Sequence, residues 1–262
     1  MNLFDSHAHY NDEKFDNDRK EIIEQTLKNG VSNFIVAGYN IESSKKALNI
    51  VKEYKELYSI VGISPNDIED IKEDKDIDTN ILKIEKLIKA DDNGKIVAVG
   101  EIGLDYYWNK ENKELQKIIF KKQIELANKY NLPIVIHTRD AINDTLEIIK
   151  NNEVKNRGIF HCCPLNRELV KEALKLGYYI SLSGVVTFKN AKNANEIIEM
   201  IPENRILIET DSPYLAPEPV RGTRNNCMNV KYVAEKIGKI KNKTLEEIAD
   251  ITNKNTKTIF KI

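Results

Sequence analysis

The chain is poor in cysteine and nearly neutral, and it contains no long apolar run. Each shortage closes off a class of protein. Three cysteines in 262 residues, two of them adjacent as Cys162 and Cys163, cannot make a disulfide framework. No apolar run approaches the roughly 18–20 residues needed to span a bilayer, so no membrane partner is expected. A net charge of −1 gives no global attraction to a polyanion, and any such binding must come from local charge or from a metal. No Pro/Gly/Ser-rich linker or break in composition divides the chain, so a single domain over residues 1–262 is expected. A cleavable leader would take the N-terminal motif LFDSHAHY with it, so a cytoplasmic protein is expected. The surface is well solvated, and the charged run IKEDKDID (71–78) reads as an exposed face or loop.

Short β-branched runs alternate with longer Lys/Glu-rich amphipathic stretches. The runs near 3–7, 33–38, 58–64, 96–102, 133–137, 157–162, 178–183 and 206–210 predict strands. Segments such as KEIIEQTLKNG, ESSKKALNIVKEYKEL, ILKIEKLIKA, KELQKIIFKKQIELANKY, AINDTLEIIKN and RELVKEALKLG predict the helices between them. Near-continuous apolar strands such as IVAVG and PIVIH fit a parallel sheet buried on both faces. Eight of them in a chain of this length predict an α/β fold, the closed (β/α)8 TIM barrel. A doubly wound sheet would usually carry a glycine-rich loop after its first strand, where this chain has His-Ala-His. Thr244 and Glu247 form a predicted capping box that opens a final helix packed outside the barrel.

All four histidines end predicted strands: His7 and His9 as an H-x-H pair, His137 after PIVI and His161 after RGIF. Imidazole is the commonest metal ligand, and histidines without a purpose would fall partly on helices and charged surface. Two carboxylates, Glu101 and Asp211, stand in matching contexts. Alternate strand residues face the same way, so His7 and His9 point together toward the C-terminal face where barrel active sites lie. Buried carboxylates among imidazoles call for a cation. The mixed set suits Zn²⁺, Mn²⁺, Ni²⁺ or Fe²⁺, with Mg²⁺ less natural. Six ligands exceed the needs of one ion and predict two divalent ions about 3.5–4 Å apart sharing a hydroxide. Such a site favours an anionic substrate, for example a phosphodiester.

The segments DSHAH, VGEIGLDYY, IHTRDA, FHC, YISLSGVVTFKNA and ETDSPYLAPEPVRGTRN follow one another in an order and spacing that resembles the TatD-like metal-dependent deoxyribonucleases, a branch of the amidohydrolase barrels. The resemblance runs nearly end to end. It implies a binuclear site with His7, His9, Glu101 and Asp211 on one ion and Glu101, His137 and His161 on the other. It also implies that Asp211 takes the proton of the attacking water. The chain departs from the family after strand 3, where Ser64 and Asn66 stand for two histidines. It departs again at Cys163-Pro164-Leu165 and at Cys227, neither of which touches a ligand.

Arg139, two residues past His137, is a candidate phosphate clamp. Tyr106, Tyr107 and Trp108, on a loop after Glu101, are candidates to stack unpaired bases or to form a packed lid. Arg221 and Arg224 lie where backbone phosphates would pass, as do Lys189 and Lys192, which also read as ordinary surface. Cys162 and Cys163 read as small buried apolar residues, and Pro213 and Pro217 as stiffeners of a loop. The expected function is hydrolysis of DNA phosphodiesters from an exposed 3′ end, by a metal-bound hydroxide with Asp211 handling the proton and Glu101 bridging the ions. The alternative is an amidohydrolase or esterase acting on a small molecule or an aminoacyl-tRNA ester, since the same hydroxide attacks carbonyl carbon.

Overall fold

The computed structural model describes residues 1–262 apart from Asp70, Lys72 and Glu73. In chain order the elements are β1 (Leu3–Ala8), α1 (Arg19–Lys28), β2 (Val31–Ala37), α2 (Ile41–Val51), β3 (Leu57–Val61), α3 (Asp74–Lys89), β4 (Ile96–Asp105), α4 (Lys113–Lys129), β5 (Ile134–Arg139) and α5 (Ile142–Asn151). They continue with β6 (Gly158–Phe160), α6 (Arg167–Lys175), β7 (Tyr179–Leu182), α7 (Ala194–Met200), β8 (Ile206–Ile208), α8 (Val230–Lys241) and α9 (Leu245–Phe260). The eight parallel strands follow one another in sequence order within one sheet and alternate with helices, the topology of a (β/α)8 barrel. The chain divides into two compact units, Met1–Val36 with His161–Ile262, and Ala37–Phe160.

In the first unit every residue of β1 is buried, as a parallel strand covered on both faces should be. The fully buried Asp5 spends its carboxylate on the far end of the chain. It accepts from Thr210 N at 3.0 Å, from Thr210 Oγ1 at 2.5 Å and from His7 N at 3.2 Å. Burial nonetheless pushes its carboxyl up to about 7, against the lowering effect of those bonds. Helix α9 opens with the expected reciprocal cap between Thr244 and Glu247 and buries Ile248, Ala249, Ile259 and Phe260. From α9, Asn253 donates to Asn2 O at 3.0 Å and Asn255 to Ile206 O at 2.9 Å, so the starts of β1 and β8 hang on one helix.

In the second unit α4 locks the ends of β3 and β4. Gln116 and Gln123 are seven residues apart and therefore share a helix face. Gln123 accepts from Ile63 N at 2.8 Å and donates to Ile63 O at 2.9 Å. Gln116 does the same for Asp105, at 2.8 and 3.0 Å. Both amides are buried, so each clamp satisfies two backbone groups that water cannot reach.

Several boundaries differ from the sequence expectation. β4 runs on to Asp105 and β5 to Arg139, so Glu101 and His137 sit inside their strands rather than at the ends. β6 and β8 are short, and His161 and Asp211 lie just beyond them. Helix α2 stops at Val51 instead of continuing to Leu57, and Lys95 Nζ grips the carbonyls of Tyr54 at 2.6 Å and Leu57 at 2.9 Å in the turn that follows. In the charged run 71–78, Lys72 and Glu73 lie outside the described residues. From Asp74 onward the run is the first turns of α3, which bury Ile77.

Candidate metal centre

The first unit brings His7, His9 and Asp211 together. His7 Nε2 and His9 Nε2 are 3.2 Å apart, and Asp211 Oδ1 lies 3.2 Å from the latter and 3.8 Å from the former. Backbone bonds set this spacing, since Asp211 N donates to His7 O at 3.0 Å and His9 N to Ser212 O at 2.7 Å. Asp211 adopts a left-handed conformation at φ 56°, one that Asp tolerates better than most side chains. Burial opposes ionisation of Asp211, but the hydrogen bond from His9 and the neighbouring imidazoles hold its carboxyl below the usual range. Two imidazoles and a carboxylate with ligand atoms within 4.8 Å of one another fit a divalent ion.

His161 belongs to the same unit, its ring stacked on His7 with centroids 4.0 Å apart. Beside it stands Glu209, which sequence reasoning missed. Its buried carboxylate accepts from Cys162 N at 2.6 Å and lies 3.3 Å from His161 Nδ1. Among the described residues its Oε2 has no hydrogen bond. Burial, and then the nearby carboxylates, push the thiols of Cys162 and Cys163 up; Cys163 is buried as expected, whereas Cys162 is half-buried with its Sγ 3.2 Å from Ser183 Oγ.

The second unit holds Glu101 and His137. His137 pairs with Gly103 of the neighbouring strand, and Glu101 and Asp105 flank that glycine two residues to either side. The imidazole is therefore bracketed, with Nδ1 2.9 Å from Glu101 Oε1 and Nε2 2.9 Å from Asp105 Oδ2. Gly103 permits the approach. Its φ is +140°, and a Cβ there would lie 2.0 Å from His137 O. Burial alone would raise the carboxyl of Asp105, but His137, the Trp108 N–H and Asn66 outweigh it and bring it to about 2. Asp105 was also missed, although the spacing Glu-x-Gly-x-Asp carries the signal.

The expected substrate contacts fall into different places. Arg139 lies across Tyr107 at 3.9 Å and Trp108 at 5.4 Å from the ring centroids. Tyr107 is 45 % exposed and Trp108 68 %. Tyr106, expected beside them, is instead buried and donates to Asp144 Oδ2 at 2.6 Å, so its ring faces the protein and is not available for stacking. Arg221 lies over Phe188 at 3.9 Å and donates to Ala216 O at 3.2 Å. Arg224 is committed to Asp18 and to Lys14 O, leaving little of its fork for a phosphate. Asn66 donates to Asp105 Oδ2 at 3.2 Å. Ser64 is buried and donates its N–H to Tyr39 O at 2.7 Å.

The family model for TatD-related DNases matches residues 4–261. The chain belongs to that family. It is 42 % identical to the uncharacterized metal-dependent hydrolase YabD of Bacillus subtilis, over 99 % of each chain. It is 37 % identical to the uncharacterized metal-dependent hydrolase MJ1582 of Methanocaldococcus jannaschii, over 98 % of this chain and 96 % of that one. The crystal structure of YJJV, a TatD homologue of Escherichia coli, superposes with a TM-score of 0.92 at 25 % identity, covering 99 % of this chain and 98 % of that one. This TatD-family chain is a metal-dependent hydrolase with the (β/α)8 fold. Among its described residues no helix is long and apolar enough to cross a membrane.

Proposed function

We propose that the protein is a single-domain deoxyribonuclease that removes nucleotides from an exposed 3′ end. Its two donor groups would act as one centre for two divalent ions, with His7, His9, Glu101 and Asp211 on one and Glu101, His137 and His161 on the other. Family membership and the chemistry of the donors support the ligand set. The observation that carries the substrate class is the platform beside His137, where a guanidinium lies on two exposed aromatic rings. Sequence-tolerant single-strand binding uses this combination of charge for phosphates and π-faces for bases.

When bound, the ions supply Lewis acidity to the phosphoryl oxygens and raise the acidity of water at the site. The chain's own residues do the remaining work. Asp211 accepts the proton of the attacking water. Glu101 and His137 face each other from neighbouring strands, Oε1 and Nδ1 2.9 Å apart. Arg139 pairs with a phosphate oxygen, and Tyr107 and Trp108 hold the bases so that the terminal phosphorus meets the water in line. Phosphorus gains the water oxygen, the P–O3′ bond breaks, and the leaving oxygen takes up a proton.

The test is metal-reconstituted protein assayed side by side on single-stranded DNA, RNA and aminoacyl-tRNA. Release of mononucleotides from the 3′ end of DNA, faster than any reaction of the others, is the expected result. Deacylation of the tRNA without attack on DNA would replace the nuclease with an esterase.

A further inference from the structure

Asp105 divides its two oxygens between different partners. Oδ2 faces His137 Nε2 at 2.9 Å and accepts from Asn66 Nδ2 at 3.2 Å. Oδ1 accepts the backbone N–H groups of Tyr107 and Trp108, each at 2.9 Å. The residue itself cannot drift, because Gln116 holds both its N–H and its C=O. A turn-forming aspartate needs only the Oδ1 bonds, so the placement of Oδ2 on an imidazole nitrogen calls for another reason.

A histidine that ligates through one ring nitrogen is oriented, and its tautomer fixed, by what the other nitrogen bonds. With Nε2–H directed at Asp105, the lone pair of His137 falls on Nδ1, the nitrogen that faces Glu101. We infer that Asp105 is a positioning residue that couples cation binding at His137 Nδ1 to the loop carrying Tyr107 and Trp108. A cation on Nδ1 makes Nε2–H a stronger donor and draws the carboxylate's charge toward Oδ2. The two amides on Oδ1 feel that change, and the rings beneath Arg139 move with their backbone. Asn66 keeps a donor on Oδ2 that is always protonated, whereas a histidine there would gain and lose its charge. The inference rests on the reading of His137 as a metal ligand.

Zn²⁺ is the probe, being redox-inert and d¹⁰. Metal-free protein is titrated with Zn²⁺ while heat and the emission of Trp108, the sole tryptophan, are followed together. In the unaltered protein, emission should change in step with one bound equivalent and not with the other. Asp105→Asn keeps one acceptor for the Tyr107 and Trp108 N–H groups and puts an NH2 donor against His137 Nε2, where an acceptor is required. It should weaken that equivalent by about 10–100-fold, abolish the emission change and leave the second equivalent unmoved. Asn66→Ala keeps the carboxylate and should retain both the affinity and the emission response. Wild-type Zn²⁺ affinity in Asp105→Asn, even with a lowered melting temperature, would make the residue merely structural and overturn the inference. So would Trp108 emission that ignores Zn²⁺ in the unaltered protein, a measurement that needs no variant to fold. Failure of the unaltered protein to bind Zn²⁺ at all would remove the metal-centre reading and the inference with it.

Discussion

In the unit that holds β1 and β8, the donors come from segments far apart in the chain, and the Asp5–Thr210 bonds that join them span 205 positions. In the unit that holds β4 and β5, Glu101, its glycine, the orienting carboxylate and the aromatic loop follow one another along a single strand and its turn. The first group is assembled by backbone hydrogen bonds between distant strands, and the second is written locally. The first therefore depends on the ends of the chain being brought together. The second depends on the shape of β4, on the pairing of His137 beside it and on Gln116 of α4 behind it. On the proposed reading, a substitution in the first group would remove a metal donor, while a change in the second would displace a donor and the aromatic platform together.

The comparison predicts unequal responses to substitution. Asp211→Asn should show the largest effect, because it would remove the proposed proton acceptor from the first group while keeping its size. Turnover at saturating metal should fall by about 10² or more, since general-base catalysis contributes on the order of 10²–10⁴. A steady-state rate near that of the unaltered protein would show that the group is held together for structure alone.

Gly103→Ala attacks the second group through its backbone. The new methyl would meet the carbonyl of His137 in a conformation that L-residues rarely adopt. A loss of roughly 1–3 kcal/mol in urea unfolding is expected. An unchanged midpoint would show that β4 and β5 can separate without cost, and the local character of the group would be lost.

The platform should respond in two distinguishable ways. Trp108→Ala should weaken single-stranded DNA binding by about 1–3 kcal/mol with little change in its salt dependence, the signature of stacking. Arg139→Ala should reduce the log–log salt slope by roughly one unit, the signature of a lost phosphate contact. Arg224→Ala should do less, because that guanidinium already serves Asp18. Equal slopes for the two arginine variants would place the nucleic acid on the first unit as much as on the second.

Glu85, away from both groups, gives the smallest effect and a control for global stability. Hydrogen bonds from Lys89, then Tyr130 and Lys129, hold its carboxyl down at about 2. A carboxyl depressed in the folded state stabilises above its unfolded value and loses that contribution as pH falls through the folded one. Melting temperature should therefore fall slightly from about pH 4.5 toward 2, and Glu85→Gln should flatten that part of the profile. A profile unaltered by the substitution would remove this ion cluster from the account of acid stability.

What the sequence determined by itself is the alternation of short, near-continuous apolar runs with amphipathic stretches of period 3.6, which yields eight strands and their helices, and the clustering of every histidine near a strand end. Both follow from local patterning, which survives without knowledge of the fold. The capping box at Thr244 was legible for the same reason, since its partners are three residues apart. Asp105 was legible in principle, through its fixed distance from Glu101 and Gly103. The commitment of Arg224 to Asp18 and of Tyr106 to Asp144 was not legible, nor was the buried carboxylate of Glu209 beside His161. Those partners are far apart in the chain, and only the tertiary structure decides whether an exposed-looking side chain has already spent its hydrogen bonds within the protein.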